Sequence, residues 1–190
     1  MNIGLFFGSF NPIHIGHLVI ANSIIEMEYV EEMWFVVSPQ NPFKKIEGLL
    51  NENDRLRLVE LAIMDNPKFK INDIEFNLEK PNYTYVTLQK LRANFPQYTF
   101  DLVMGADNIA DFSNWHNYEE ILEHHRVLVY PRPYARKTDM VYHPQVKLVQ
   151  APLFEISATF IREAIKKNKS VKYLLPEEVE KYIKFKSLYQ

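Results

Sequence analysis

Two histidines three residues apart, in a turn punctuated by glycine, are the residues of this chain best suited to chemistry. They stand in the run Gly8-Ser9-Phe10-Asn11-Pro12-Ile13-His14-Ile15-Gly16-His17. Ile3 to Phe7, just before it, reads as a buried strand, and helical spacing begins at Gly16. The run is therefore a tight turn from strand to helix. Glycine is scarce, five in 190 residues, yet three of the five fall within the first sixteen positions. Gly8 would let a ligand approach the backbone where a side chain would block it, and Pro12 stiffens the turn. Gly16 would let a flat group lie on the first helical turn, whose free N–H groups favour an anion. Two imidazoles beside that helix start can donate hydrogen bonds to phosphate oxygens. The run is neither the G-x-G-x-x-G dinucleotide fingerprint nor a P-loop.

The elements that must hold this turn alternate. Strand-like Ile3 to Phe7 and helical Gly16 to Glu28 are followed by a strand at Met33 to Val37 and a helix at Asn53 to Met64. Phe69 to Phe76 alternates as a strand, Tyr83 to Asn94 has helical spacing, and Phe100 to Met104 is a buried strand ending at Gly105. Val127 to Tyr130 and Val146 to Val149 are short strands; Thr159 to Lys167 and Glu177 to Lys186 are helices, the last with Pro176 as a start signal. The pattern predicts an α/β layer fold with a mostly parallel sheet. Such sheets bind ligands beyond the carboxyl ends of their strands. The chemistry should lie just after Phe7, Val37, Met104, Tyr130 and Val149.

Composition narrows the function. Apolar types make up 47% and charged types 24%, the ratio of a soluble core. A formal charge of −2 gives no basic field for nucleic acid. The lysines of the tail, seven against three glutamates from Lys166 onward, read as a solvated face. Zero cysteines exclude disulfides, thiolate metal sites and cysteine nucleophiles. No apolar run reaches membrane-span length and no signal peptide opens the chain, so a cytoplasmic protein without a membrane partner is expected. His124 and His125, adjacent, would point ~100° apart on a helix and cannot chelate one metal. Neither H-E-x-x-H nor G-x-S-x-G occurs, and His143 before Pro144 reads as a loop residue.

The first run resembles G-x-F-x-P-x-H-x-G-H, the signature of the nucleotidyltransferase superfamily that includes nicotinate- and nicotinamide-mononucleotide adenylyltransferases. Ile156-Ser157-Ala158-Thr159-Phe160-Ile161-Arg162 resembles its second signature, I-S-S-T-x-I-R. Asn41-Pro42-Phe43-Lys44 resembles N-P-x-K, and Tyr83-Thr84-Tyr85-Val86-Thr87-Leu88 resembles the Y-T-x-x-T-L of the bacterial nicotinate-nucleotide enzymes. Gly105-Ala106-Asp107-Asn108 is similar to their G-A-D turn, and Trp115-His116-Asn117-Tyr118 to their W-x-x-[WY] segment. Three departures stand out: Ala158 for a second serine, Asn11 for a frequent aspartate, and Phe7 for a common glycine. The first removes a hydroxyl but leaves backbone N–H contacts.

The resemblance implies a Rossmann-like, doubly wound sheet with helices on both faces, in one domain over 1–190 with a helical part over about 157–190. It implies adenylyl transfer from ATP to nicotinate mononucleotide, in NAD biosynthesis. His14, His17, Lys44 and Arg162 would act on the phosphates. Gly8, Ser9, Phe10, Gly16, Gly105, Asp107, Ile156, Ser157 and Thr159 would bind ATP. Thr84, Tyr85, Asp111, Phe112 and Trp115 would bind the mononucleotide. Magnesium would arrive with ATP rather than in a protein metal site. A homo-oligomer is left open. The alternatives are a nicotinamide-mononucleotide or pantetheine-phosphate adenylyltransferase and, more remotely, a non-catalytic nucleotide sensor. A synthetase is disfavoured, because K-M-S-K-S is absent.

Overall fold

The computed structural model describes residues 1–39 and 48–190. Six strands form one sheet: β1 (Asn2–Gly8), β2 (Glu32–Val37), β3 (Phe69–Asn72), β4 (Thr99–Gly105), β5 (Val127–Tyr130) and β6 (Val146–Leu148). Their order is β3-β2-β1-β4-β5-β6, and every pairing is parallel. This is the doubly wound order, with its topological switch point between β1 and β4.

Side chains on a strand alternate between faces, and here both faces are buried. Ile3, Leu5, Trp34, Val36, Leu102 and Val129 enter one core. Phe6, Phe35, Val37, Val103, Leu128 and Tyr130 enter the other. Helices α1 (Ile15–Glu26), α2 (Glu52–Ile63), α6 (Ala158–Lys166) and α7 (Glu177–Phe185) cover the Phe6 face. Helices α3 (Thr84–Asn94), α4 (Ala106–Ile109) and α5 (Tyr118–His124) cover the opposite one.

The strands and helices read from the sequence appear within a few residues of the expected bounds, with two differences. β3 stops at Asn72 rather than Phe76, because the Asn72 side chain accepts from Ile74 N–H and turns the chain into a 3-10 turn, Ile74–Asn77. Helices α4 and α5 are too short to give a periodic signal in the sequence. Among the described residues no helix is long and apolar enough to cross a membrane.

Candidate active site

The turn after β1 is built around aromatic packing. Phe10 takes a left-handed backbone (φ 44°) and is buried, its ring meeting those of Phe6, Phe35 and His17. A Cβ on Gly8 would lie 2.8 Å from the Phe10 ring. Gly8 thus makes room for Phe10, and it also lines the neighbouring cleft. Phe10 itself is a packing residue.

His14 sits at the N-terminal cap of α1. Its backbone N–H donates to His17 Nδ1 at 3.2 Å, and the two rings stack with centroids 3.7 Å apart. The Nδ1 of a neutral His17 therefore accepts, which leaves Nε2 to carry the proton as a donor. A Cβ on Gly16 would come within 3.1 Å of the His14 ring. The flat group lying on that helical turn is His14 itself. The His14 ring is 4% exposed and its Nδ1 has no partner among the described residues. Burial first, and then the charge of Arg132, lower its pKa to about 4. At neutral pH it is an uncharged imidazole.

The second signature folds against the first. Ile156 lies next to Gly16, and Ser157 caps α6 by accepting from Phe160 N–H at 3.2 Å. Arg162 donates to the Asn11 carbonyl at 2.8 Å and to the Thr159 hydroxyl at 3.2 Å. The N-terminal ends of α1 and α6, whose helix dipoles favour negative charge, thus lie beside His14, His17 and Arg162. This cluster can hold a polyanion.

Behind the turn stands Arg55 of α2, fully buried. It donates to four carbonyls: Ser9 at 2.6 Å, Ser38 at 2.8 Å, Pro39 at 2.9 Å and Leu50 at 3.0 Å. It ties the loops after β1 and β2 together. Asn11 is held in turn by the Tyr189 hydroxyl at 2.9 Å. Lys44, the remaining expected phosphate ligand, lies outside the described residues.

Next to the turn, at the switch point, is a cleft of about 920 Å³ including its open mouth. Its walls come from the ends of β1, β4 and β5 (Gly8, Gly105, Tyr130), from Ser9 and Ser38, and from Asn82, Thr84 and Trp115. Four of the five expected strand ends meet here; the end of β6 does not.

Four expected site residues are placed outside the cleft wall. Phe112 is fully buried and packs on Trp115, with ring centroids 5.3 Å apart, so it supports the cleft wall without joining it. Asp111 is exposed, its N–H donates to Asn108 and its carboxylate pairs with Arg136. Tyr85 bonds Glu120 and Gln89 on the outer surface of α3, and Tyr83 lines the cleft instead. Asp107 is exposed beyond the cleft, 3.9 Å from Arg132, and a Cβ on Gly105 would fall onto its carboxylate.

Arg132, stacked on Tyr130 at 5.2 Å, and Arg136 carry no motif in the sequence. Both reach carboxylates from the segment after β5, about 25 residues away in the chain, and no local spacing announces that. Glu75 and Asn82, also in the cleft wall, carried no motif of their own. Among the described residues no three His, Asp or Glu side chains gather as a metal cage. His125 is buried against the Phe100 carbonyl.

Known proteins resemble this chain in sequence and in fold. Residues 5–164 match the family model described as cytidylyltransferase-like. A "Probable nicotinate-nucleotide adenylyltransferase" of Cytophaga hutchinsonii is 52% identical, over 100% of this chain and 98% of the relative. The chain belongs to the nicotinate-nucleotide adenylyltransferases of the cytidylyltransferase-like family. Another relative so named, from Flavobacterium psychrophilum, is 49% identical over 100% of both chains. Among solved structures, the Plasmodium falciparum nicotinic acid mononucleotide adenylyltransferase complexed with NaAD shares the fold. Its TM-score is 0.83 at 23% identity, over 99% of this chain and 97% of that one. The two runs that resemble the nucleotidyltransferase signatures are brought together by the fold at Gly16 and Ile156.

Proposed function

We propose that the protein transfers the adenylyl group of ATP to nicotinate mononucleotide. A 5′-phosphate oxygen of the mononucleotide attacks the α-phosphorus in line. The bond to the β-phosphate oxygen breaks, pyrophosphate leaves, and nicotinate adenine dinucleotide remains. The nucleophile is already an anion at neutral pH, so no general base is needed and positioning with charge stabilisation suffices. The observation that carries this reading is the His14–His17 stack between two helix N-termini, with Arg162 anchored beside it.

His14, His17 and Arg162 are assigned to the triphosphate, with Ser157 and Thr159 at the start of α6 and Lys44 as a further cation. Magnesium would come with ATP and would add positive charge to the reacting phosphates. Trp115 offers a face to the pyridine ring. The start of α3 borders the cleft, and its first N–H groups and the Thr84 hydroxyl suit the ring carboxylate. This replaces the expected acceptance by the turn at Asp111 and Phe112. Arg132 and Arg136 neutralise the two carboxylates that would otherwise repel an acid. A cytoplasmic setting, where ATP is at hand, and a single domain over 1–190 go with this reading.

The test is pyrophosphate release from ATP with nicotinate mononucleotide, nicotinamide mononucleotide and phosphopantetheine in parallel. Turnover fastest with the first supports the reading; turnover with none of them returns the protein to a nucleotide-binding role.

A further inference from the structure

Asn82 lies in the turn leading into α3 and forms part of the cleft wall, although the residue is only 6% exposed. Its Nδ2 donates to the Glu75 carbonyl at 3.0 Å. That bond fixes which way the amide faces, since the flipped amide would set two carbonyl oxygens against each other. Oδ1 is committed to the other direction. It is buried and has no hydrogen-bond partner among the described residues.

Among the described residues nothing in the floor of this corner donates to it. Glu75 is 2% exposed, and its carboxyl group is engaged by the Thr87 hydroxyl at 2.8 Å. A buried acceptor left unpaired costs ~1–3 kcal/mol, so a native wall that keeps one calls for a partner. The partner must bring an O–H or N–H.

We propose that Asn82 Oδ1 is an acceptor subsite for a ribose hydroxyl of the mononucleotide, which makes Asn82 a specificity-determining residue for the sugar. The inference rests on the reading of the cleft as the nicotinate-mononucleotide site. In that substrate the ring carboxylate has no hydrogen to give, and the 5′-phosphate is ionised. The ribose hydroxyls are its only remaining donors. The wall therefore divides the ligand between two neighbours. Thr84 and the start of α3 supply donors to the carboxylate, and Asn82 supplies the acceptor to the sugar.

The test measures kcat/KM of the parent protein and of Asn82→Ala at matched, saturating ATP. The substrates are nicotinate mononucleotide, its 2′-deoxy and 3′-deoxy analogues, and nicotinamide mononucleotide. In the parent, one deoxy analogue should lose on the order of tenfold, which identifies the hydroxyl. Asn82→Ala should lose a similar factor with the ribonucleotide and no longer distinguish it from that analogue. The ratio of two substrates within one protein sample cancels the folded fraction, so a loosened Glu75 anchor cannot imitate this result. Asn82→Ser, short enough to leave the acceptor position empty, is read the same way should the alanine variant not fold.

Equal deoxy penalties in parent and variant, or no penalty in the parent, overturn the assignment. A variant that keeps the penalty but shifts the acid-to-amide ratio also overturns it, and moves Oδ1 to the ring substituent. A parent that fails to use nicotinate mononucleotide defeats the underlying reading, and the Asn82 assignment with it.

Discussion

Gly16→Ala separates catalytic geometry from stability, because its two effects have opposite signs. Gly16 is the second residue of α1, where alanine is favoured over glycine by up to ~1 kcal/mol. The added Cβ, however, would lie 3.1 Å from Nδ1 and 3.2 Å from Cε1 of His14. The ring must give by a few tenths of an ångström. It cannot simply swing away, since its face is stacked on His17 at 3.7 Å and its backbone N–H holds His17 Nδ1. Both imidazoles therefore shift relative to the starts of α1 and α6. A full 1 Å misplacement of a catalytic group costs about 10²-fold, so a smaller shift shared by two groups should cost roughly tenfold or more in kcat, about 1.4 kcal/mol. Steady-state pyrophosphate release and thermal unfolding, measured on one preparation, check this. The expected result is a melting temperature equal to or above the parent's together with a kcat at least tenfold lower. Parent-like kcat would refute the argument, and so would a fall in melting temperature that accounts for the lost activity.

His17→Ala should lower kcat by ~10²–10³ with a smaller change in ATP affinity, as for loss of a donor to developing charge; steady-state kinetics within threefold of the parent would remove His17 from the mechanism. Arg162→Lys should lose roughly 1.5–3 kcal/mol in kcat/KM, because an ammonium cannot hold the Asn11 carbonyl and Thr159 and still reach phosphate as the planar fork can. His14 refuses a proton down to about pH 4, whereas in the unfolded chain it accepts one near 6.5. The folded state therefore binds fewer protons in that window. The stability due to the neutral ring is full above pH 6.5 and falls by roughly 3 kcal/mol as the pH drops to 4, a slope that urea titrations of His14→Gln should lack. Nicotinate mononucleotide should be preferred to the amide by about 5- to 150-fold in kcat/KM, since the amide sets an NH₂ against the donors at the start of α3; equal rates would contradict that arrangement.

What could be read from the sequence is what is local. The spacing of His14, Gly16 and His17 places them on one helical turn, and that is where they are. The order of strands and helices carries the layer fold because each face of the sheet demands its own helices. Even so, the reasons given for Gly8 and Gly16 change in the structure: both glycines accommodate aromatic rings of the protein itself. The motif alone places Tyr85 in the cleft, and the structure puts Tyr83 in the cleft wall and Tyr85 against Glu120 and Gln89. Arg132, Arg136, Asn82 and Glu75 stayed invisible for another reason. Their roles depend on pairings across the fold, between Arg136 and Asp111 or Asn82 and the Glu75 carbonyl, and no periodicity records those. Arg55 reads as one more polar residue of an amphipathic helix until its four carbonyl partners are seen.

Asn11 is gripped by residues made at very different times. Arg162, 151 positions downstream, takes its backbone carbonyl, and Tyr189, 178 positions downstream, takes its side-chain oxygen. A ribosome that has delivered the histidine turn has delivered neither clamp. Domains emerge at about 5–20 residues per second, so the nascent turn waits on the order of ten seconds or more before it can take its final shape. During that interval the growing chain carries the imidazoles but not the arrangement that would let them hold a triphosphate.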